Sequence, residues 1–375
     1  MLRPRFRPGW TSSWKDGAAA DEEEIGKHED SITHSFAWPG VTIDAIRIPD
    51  GRHVCLKRIP CRAEDSSEVA VTEFFSKDKQ RKDPRNHAIP LFDVLRAPDH
   101  CFMVFPFCRS LISEEPYFET IGEVFDMVEQ ALEGLAYLHE LKIAHRDCTL
   151  ANILMDADRI FPRGCHMDNS DRDADGRELS SVRTRTQVGG AKYYLIDFGE
   201  SVKFGPEDSG IVETWSKAGV LAPEMLSEDD IRCYKEYFDF LLPLFDAMMD
   251  EDPNKRPTAF ASLEQFRAIK SLYSRMALHR RIRYSGWCTR YKPENGVVRT
   301  FRDIKHWAKQ DFHAHYMTTR QLVLAPSYND RRARGPPHHA PGYRNSAEPR
   351  SPGRRIRARG SGCGRGPSAA VALRR

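Results

Sequence analysis

The chain has 375 residues, 40% of them hydrophobic and 30% charged, enough apolar side chain for a sizeable core and a length suited to two or three domains or one large bilobal one. No run approaches the roughly 18 consecutive apolar residues of a membrane span, and no apolar stretch of the secretory type follows the basic start at Arg3, Arg5 and Arg7. Nine scattered cysteines without a C-x-x-C pair point to free thiols in an intracellular, cytoplasmic or nuclear setting, and against a disulfide framework or a structural zinc.

The net charge of +3 conceals an asymmetry: residues 326–375 carry twelve Arg against Asp330 and Glu348, a local +10, which leaves −7 for the first 325. In chain order, residues 1–34 mix charge with Gly, Ala and Ser around the acidic run 21–24 and are expected to be a mobile leader. Residues 35–107 form a β-rich unit, with strand-like runs at 41–48, 53–59, 88–95 and 101–107, a hairpin turn at Pro49-Asp50-Gly51, and one helix over 64–77 capped by Ser66 or Ser67. From 108 to 278 the helical period dominates. Ile121, Val124, Phe125, Val128, Ala131, Leu132, Leu135 and Leu138 recur at steps of three and four, and further helices are expected at 227–249 and 259–277. Short apolar runs at 143–144, 153–155 and 193–196 lie between, the last two separated by a polar inserted loop, 156–192. A basic, aromatic extension covers 279–324. The tail 325–375 is rich in Arg, Pro, Gly and Ser and too poor in large apolar residues to offset its own ordering entropy, so it is expected to be disordered.

After the long helix the chain reads His145-Arg146-Asp147-Cys148-Thr149-Leu150-Ala151-Asn152, then Leu195-Ile196-Asp197-Phe198-Gly199 and Ala222-Pro223-Glu224; before it stands Val54-Cys55-Leu56-Lys57. In this order, strand-rich part first, these resemble the H-R-D-x-x-x-x-N catalytic loop, D-F-G turn, A-P-E element and V-A-I-K strand of eukaryotic protein kinases. The resemblance covers roughly residues 36–278 and is greatest to the divergent kinase-like proteins of fungi. It implies an α+β, bilobal protein-kinase-like fold with a small β-rich N-lobe and a larger helical C-lobe.

Phosphoryl transfer leaves the protein little covalent work; positioning and charge neutralisation dominate. The resemblance gives the catalytic part to Asp147, which orients or accepts the proton of the attacking hydroxyl, with His145, Arg146, Lys57 and Asn152 around it. It implies ATP and Mg²⁺. Lys57 and Cys55, alternate residues of one strand, would face the α/β-phosphates and the adenine. Phe105 would stand as gatekeeper before the hinge Pro106-Phe107-Cys108. Glu68 is expected to hold Lys57, with Glu73 its competitor because the eleven-residue spacing from Lys57 is short. Asn152 and Asp197 supply the oxygen ligands that Mg²⁺ prefers. Glu224 would pair with Arg256, and Arg146 would answer a phosphate on Thr214 or Ser216.

Three departures stand against this pattern. No G-x-G-x-x-G precedes Lys57, and the corresponding stretch 43–51 has one Gly, at its end. Thr149 replaces the Lys usual in serine/threonine kinases, while the tyrosine-kinase Ala-Ala-Arg is missing too. Only 31 residues, 225–255, separate Glu224 from Arg256, where three helices would need about 50. That implies a C-lobe rebuilt around fewer helices, or a transcript missing an exon. Two other motifs fail. Asp171–Gly176 begins like an EF-hand loop but has Val182 at the twelfth position, and Cys165-His166 has no second ligand pair at zinc spacing. The Arg-rich tail carries only Tyr328 and Tyr343 among its arginines, so a solvated tail is preferred to nucleic-acid contact.

The first reading is an ATP-dependent protein kinase acting on a protein hydroxyl, Ser or Thr before Tyr. The alternative is a pseudokinase, a binding or scaffold module that transfers no phosphate. A small-molecule phosphotransferase ranks third, because Ala222-Pro223-Glu224 and Arg256 belong to the protein-kinase pattern.

Overall fold

The computed structural model describes residues 1–11, 42–111, 118–167, 169, 171–205, 239–250, 252 and 254–282. Strands β1 (Thr42–Ile46) and β2 (His53–Ile59) pair antiparallel, from Thr42 opposite Lys57 to Ile46 opposite His53. Their turn closes through the Gly51 N–H, which donates to the Arg47 carbonyl at 2.8 Å, with Gly51 at φ +68°, a conformation that costs glycine no Cβ clash. Helix α1 (Ser67–Phe75) starts where Ser66 Oγ accepts the Val69 N–H at 3.3 Å. A single turn, α2 (Asp78–Arg81), follows it. Strands β3 (Asp93–Arg96) and β4 (Cys101–Pro106) complete a sheet of order β1-β2-β4-β3.

The run 88–95 is not one strand. Pro90 has no N–H for a ladder, and the residues before it pair elsewhere: Ile89 N–H donates to the Leu195 carbonyl at 3.0 Å, and Leu195 N–H to the His87 carbonyl at 2.7 Å.

The second part begins with β5 (Arg109–Ser110) and the twenty-residue helix α3 (Ile121–Glu140), capped by Thr120. Its apolar stripe is buried: Phe125, Val128, Leu132 and Leu138 are each 0% exposed. Strands β6 (Ile143–Ala144), β7 (Ile153–Met155), β8 (Tyr193–Leu195) and β9 (Val202–Lys203) form two small sheets, β5-β7-β8 and β6-β9. Gly134 lets α3 approach them, since a Cβ there would stand 2.9 Å from His87 Cβ and 3.0 Å from Leu195 Cδ1.

Between Glu224 and Arg256 the described residues hold a 3-10 turn, Asp239–Leu241, and one short α-helix, α4 (Leu242–Met248); the remainder of the expected helix over 227–249 lies outside them up to 238. The helix expected over 259–277 is two, α5 (Ala259–Ser271) and α6 (Arg275–Leu278). Ser274 breaks it: its backbone is extended, and its hydroxyl accepts the Ala277 N–H at 3.2 Å to cap a new start. Phe125 packs edge-on against Phe240, Phe266 and Tyr273 at centroid distances of 5.7, 5.4 and 5.2 Å. Arg267 donates to Glu129 and Glu133 on α3 at 2.9 and 2.7 Å.

The inserted loop 156–192, expected to be functional or disordered, and the leader 1–34, expected to be mobile, are both described in part, the leader over residues 1–11. Most of 156–192 is folded, with little regular structure: Ile160, Phe161, Cys165 and Val188 are buried, and Asp173 is 0% exposed, accepting the Asp175 and Arg177 N–H groups at 2.9 Å. These apolar residues join the same core as the α3 stripe. Likewise residues 1–11 are no mobile leader. Leu2 forms a bridge with Ala45 at the open edge of β1 and packs on the outer face of the sheet, while Arg5 is buried. A basic segment is held there because it meets a buried carboxylate, Asp44.

Candidate active site

The site is built where β2, α1 and the loops after β6 and β8 meet. Lys57 Nζ lies 2.7 Å from Glu68 Oε1 and 2.9 Å from Asp197 Oδ1, joining the first sheet to the second part of the chain. Glu68, and not Glu73, is the helix carboxylate at Lys57. Glu73 points away and pairs with Arg96 at 2.8 Å. Burial alone would lower the Lys57 pKa, but Glu68 and then Asp197 more than offset it and leave the ammonium held above its ordinary value. Burial dominates for Glu68, whose carboxyl is raised despite Lys57.

Cross-strand partners share a face of a sheet. Thr42 stands opposite Lys57, and Asp44 and Phe105 flank Cys55, so Asp44, Cys55, Lys57 and Phe105 look to one side. Burial pushes the Cys55 thiol up to about 12, with Asp44 adding to the rise. Phe107 stacks on His53, with ring centroids 4.0 Å apart.

Asp147 and Asn152 hold one another. Asn152 Nδ2 donates to the Asp147 carbonyl at 2.8 Å and to its Oδ2 at 2.9 Å. This turns the amide nitrogen inward and leaves Oδ1 as the outward-facing ligand atom. Burial raises the Asp147 carboxyl from its ordinary value; Asn152 opposes, and the charges of Asp197 and Glu200 push it further up.

His145 ties the two loops together. Its Nδ1 accepts the Asp147 N–H at 3.3 Å, so Nε2 carries the proton and donates to the Ile196 carbonyl at 2.9 Å. Its ring packs on Phe198 at 5.0 Å, and Phe198 in turn stacks on Phe75 of α1 at 5.8 Å. Arg146 and Asp197 adopt left-handed backbones, φ +68° and +60°, a conformation that costs non-glycine residues about 1 kcal/mol or more and sits here on two residues of the site. Arg146 Nη1 donates to the Glu200 carbonyl at 3.4 Å.

Thus Lys57, Glu68 and Asp197 form one ionic cluster, Asp147, Asn152 and His145 form the adjoining loop, and Cys55 and Phe105 line the neighbouring sheet face. Glu224, Thr214 and Ser216 lie outside the described residues. Arg256 Nε donates to the Asp250 carbonyl at 2.6 Å. Sequence reasoning passed over Asp44, Glu200 and Ser201, whose hydroxyl donates to the His145 carbonyl at 3.1 Å. Ser201 follows the Asp197-Phe198-Gly199 turn so closely that its nearness was the available signal. For Asp44 the signal was a carboxylate alternating with Thr42 and Ile46 in a strand otherwise read as apolar.

The arrangement, one ammonium among three carboxylates, can position a polyanion at Lys57 only together with a cation. Asp197 and the Asn152 carbonyl offer oxygen to a hard cation, and among the described residues no group of three or more His, Cys, Asp or Glu forms a complete metal cage. Two protein ligands beside a lysine fit Mg²⁺, which takes its remaining ligands from phosphates and water. Among the described residues no helix is long and apolar enough to cross a membrane.

Residues 39–239, just over half of the chain, match the family described as the protein kinase domain. Over 197 residues, 49% of this chain, it is 28% identical to a serine/threonine-protein kinase/endoribonuclease, ireA, of Aspergillus fumigatus, of which it covers 14%. It is 36% identical over 64 residues, 16% of the chain, to cyclin-dependent kinase 9-B of Xenopus laevis, covering 17% of that protein. A probable cell division protein kinase of Encephalitozoon cuniculi is 26% identical over 122 residues, 32% of the chain, with 45% of its own length covered. The chain therefore spans less than half the length of these relatives.

Proposed function

The chain belongs to the protein kinase family, and we propose that it is an active, ATP- and Mg²⁺-dependent enzyme that phosphorylates Ser or Thr hydroxyls of a protein substrate. The observation that carries this reading is Lys57 bridging Glu68 and Asp197 at 2.7 and 2.9 Å. A lysine fixed from two sides is pre-positioned to meet phosphate oxygens without reorganising at the moment of transfer. Cys55 and Phe105 would receive the adenine and Phe107 would line the hinge.

Asn152 Oδ1 and the Asp197 carboxylate would hold Mg²⁺, which would supply positive charge against the phosphates. Asp147, oriented by the Asn152 amide, would orient or accept the proton of the attacking hydroxyl. Its raised pKa suits an acceptor that must release the proton again. His145 positions this loop through the Asp147 N–H and the Ile196 carbonyl, and Arg146 would receive an activation-segment phosphate. Serine or threonine is preferred because the relatives' names include a serine/threonine-protein kinase.

Transfer of γ-phosphate from Mg·ATP to the protein itself and to a basic protein substrate tests this, with Asp147→Asn beside it. Transfer lost by at least 100-fold in the variant is expected; equal labelling by both would refute the assignment.

One observation favours the alternative of a pseudokinase. The stretch 43–51 is the β1–β2 hairpin, whose turn begins at the His53 end of β2. Four residues at ~3.3 Å each put it about 13 Å from Lys57, so this hairpin does not close over phosphates at that lysine, and residues 12–41, which precede Thr42, the partner of Lys57, lie outside the described residues. Well-folded protein that binds nucleotide yet transfers nothing would establish the alternative.

A further inference from the structure

The first eleven residues are fastened both to β1 and to the insertion between β7 and β8. Leu2 bridges Ala45, and the Ile46 N–H donates to the Met1 carbonyl at 2.8 Å, which extends the sheet by one short edge segment. Side chains alternate along such a segment. Leu2 lies on the outer face with Val54 and Val104 and Arg3 turns to the inner face, where a single 3-10 turn, Pro4–Phe6, also brings Arg5. There Arg5 Nη2 donates to Asp44 Oδ1 at 2.6 Å, with the side chains 0% and 1% exposed. His53 Nε2 is 2.6 Å from the other carboxylate oxygen and Arg3 Nε is 3.9 Å from it.

The segment also grips the far side. Arg5 Nη1 lies 3.3 Å from His166 Nε2, and Arg3 donates to the Ala174 carbonyl. His166 and Ala174 both belong to the folded insertion between β7 and β8. One short strap is thus fastened to β1 above and to the insertion below.

Asp44 is the cross-strand partner of Cys55 and lies two residues along β1 from Thr42, the partner of Lys57. The guanidinium that reaches Asp44 therefore stands on the Lys57 face, beside Cys55, where the proposed function seats the base of the nucleotide. We propose that residues 1–11 are an autoinhibitory strap: Arg5, held by Asp44 and packed beside His166, with Arg3 tied to the Ala174 carbonyl, occupies the mouth of the nucleotide cleft and must withdraw for Mg·ATP to enter. This rests on the reading of the Lys57 face as a nucleotide site.

Binding and strap closure then compete, so each weakens the other by the same factor. A cleft open for only a fraction of the time has its apparent affinity reduced by that fraction. Removing the guanidinium raises affinity; saturating nucleotide frees the strap. Trypsin can read the second effect in the unaltered full chain. Arg3 and Arg7 precede Pro4 and Pro8, which leaves Arg5–Phe6 as the one tryptic bond in the first eleven residues, and Arg5 is buried while the strap is closed.

The test pairs Mg·ATP titration of the full chain and its Arg5→Gln variant with timed trypsin cleavage of the full chain at Arg5–Phe6, read by mass. We expect at least tenfold tighter Mg·ATP binding in the variant, and cleavage at least tenfold faster at saturating Mg·ATP. If Arg5→Gln does not fold, the cleavage rates decide alone. Equal affinities, or cleavage indifferent to bound nucleotide, would overturn the strap and leave the kinase reading standing. No Mg·ATP binding by either protein would overturn both.

Discussion

Acidification should loosen this fold through His145 in particular. The ring is 1% exposed, and burial, opposed only weakly by the Ile196 carbonyl and Asp197, lowers its pKa from 6.5 to about 4. With its folded-state pKa depressed, the unfolded chain takes up a proton near pH 6.5 that the folded chain refuses until about pH 4. Stability from neutral His145 is complete above pH 6.5 and declines as pH falls toward 4. The full loss is about 3 kcal/mol, at roughly 1.4 kcal/mol for each tenfold difference in proton affinity between folded and unfolded chain, and about 2 kcal/mol of it falls between pH 7 and pH 5. A proton added at Nδ1 would also face the Asp147 N–H that this nitrogen now accepts. Urea unfolding of the full chain and of His145→Asn, followed by tryptophan fluorescence at pH 7, 6 and 5, isolates the effect, because the other titrations cancel in the difference. The variant should be less stable at pH 7, and the gap should narrow by about 2 kcal/mol by pH 5. A gap constant across that range would refute the reasoning.

Glu68→Gln should lower kcat/KM on the order of 100-fold by freeing Lys57, while Glu73→Gln, on the exposed Arg96 pair, should leave it unchanged; equal effects in a steady-state assay would refute the placement of Lys57. The acid limb of the pH–rate profile reports the raised Asp147 carboxyl, so activity falls as pH drops through that pKa. Glu200→Gln removes a charge that raises it and should move the limb to lower pH, a shift absent from Asp93→Asn. Phe198→Ala should cost about 3–5 kcal/mol in urea unfolding, because its ring is 1% exposed between His145 and Phe75, and Phe198→Leu should recover part of that loss.

Much of the site was legible because its parts are contiguous. Asp147 and Asn152 are five residues apart, a separation one loop can close, and Asp197 is carried by the turn that directly follows β8. The choice of Glu68 over Glu73 is helix geometry. Five residues at 100° each put Glu73 about 140° around the axis from Glu68, so the two cannot both face Lys57. The spacing of eleven residues suffices because a 3-10 turn, Ala63–Asp65, and the Ser66 cap begin α1 at once after β2. The α3 stripe was legible for the same local reason: one face at helical period, all of it buried. The break at Ser274 was not, since an extended serine within an apolar–polar alternation leaves the period on both sides intact.

What escaped the sequence depends on contacts between distant residues. Arg5 reaches across 39 residues to Asp44 and across 161 to His166; no local period registers such pairs, and three arginines in a Pro- and Gly-containing segment look solvated. The insertion misled in a related way. Its apolar residues are too few for a helix or strand pattern, yet they find partners already fixed by the rest of the fold. Arg109 on β5 lies 4.8 Å from the Phe161 ring, Arg185 lies 4.1 Å from that of Phe118, and Glu123 of α3 accepts the Thr186 N–H and hydroxyl at 3.0 and 2.8 Å. A loop that inserts its few apolar residues into the main core can offset its ordering entropy without a pattern of its own. That anchoring also explains how the insertion can serve the strap: His166 and Ala174 meet Arg5 and Arg3 from a loop held on β5 and α3, and a fixed surface can clamp a segment that a mobile one could not.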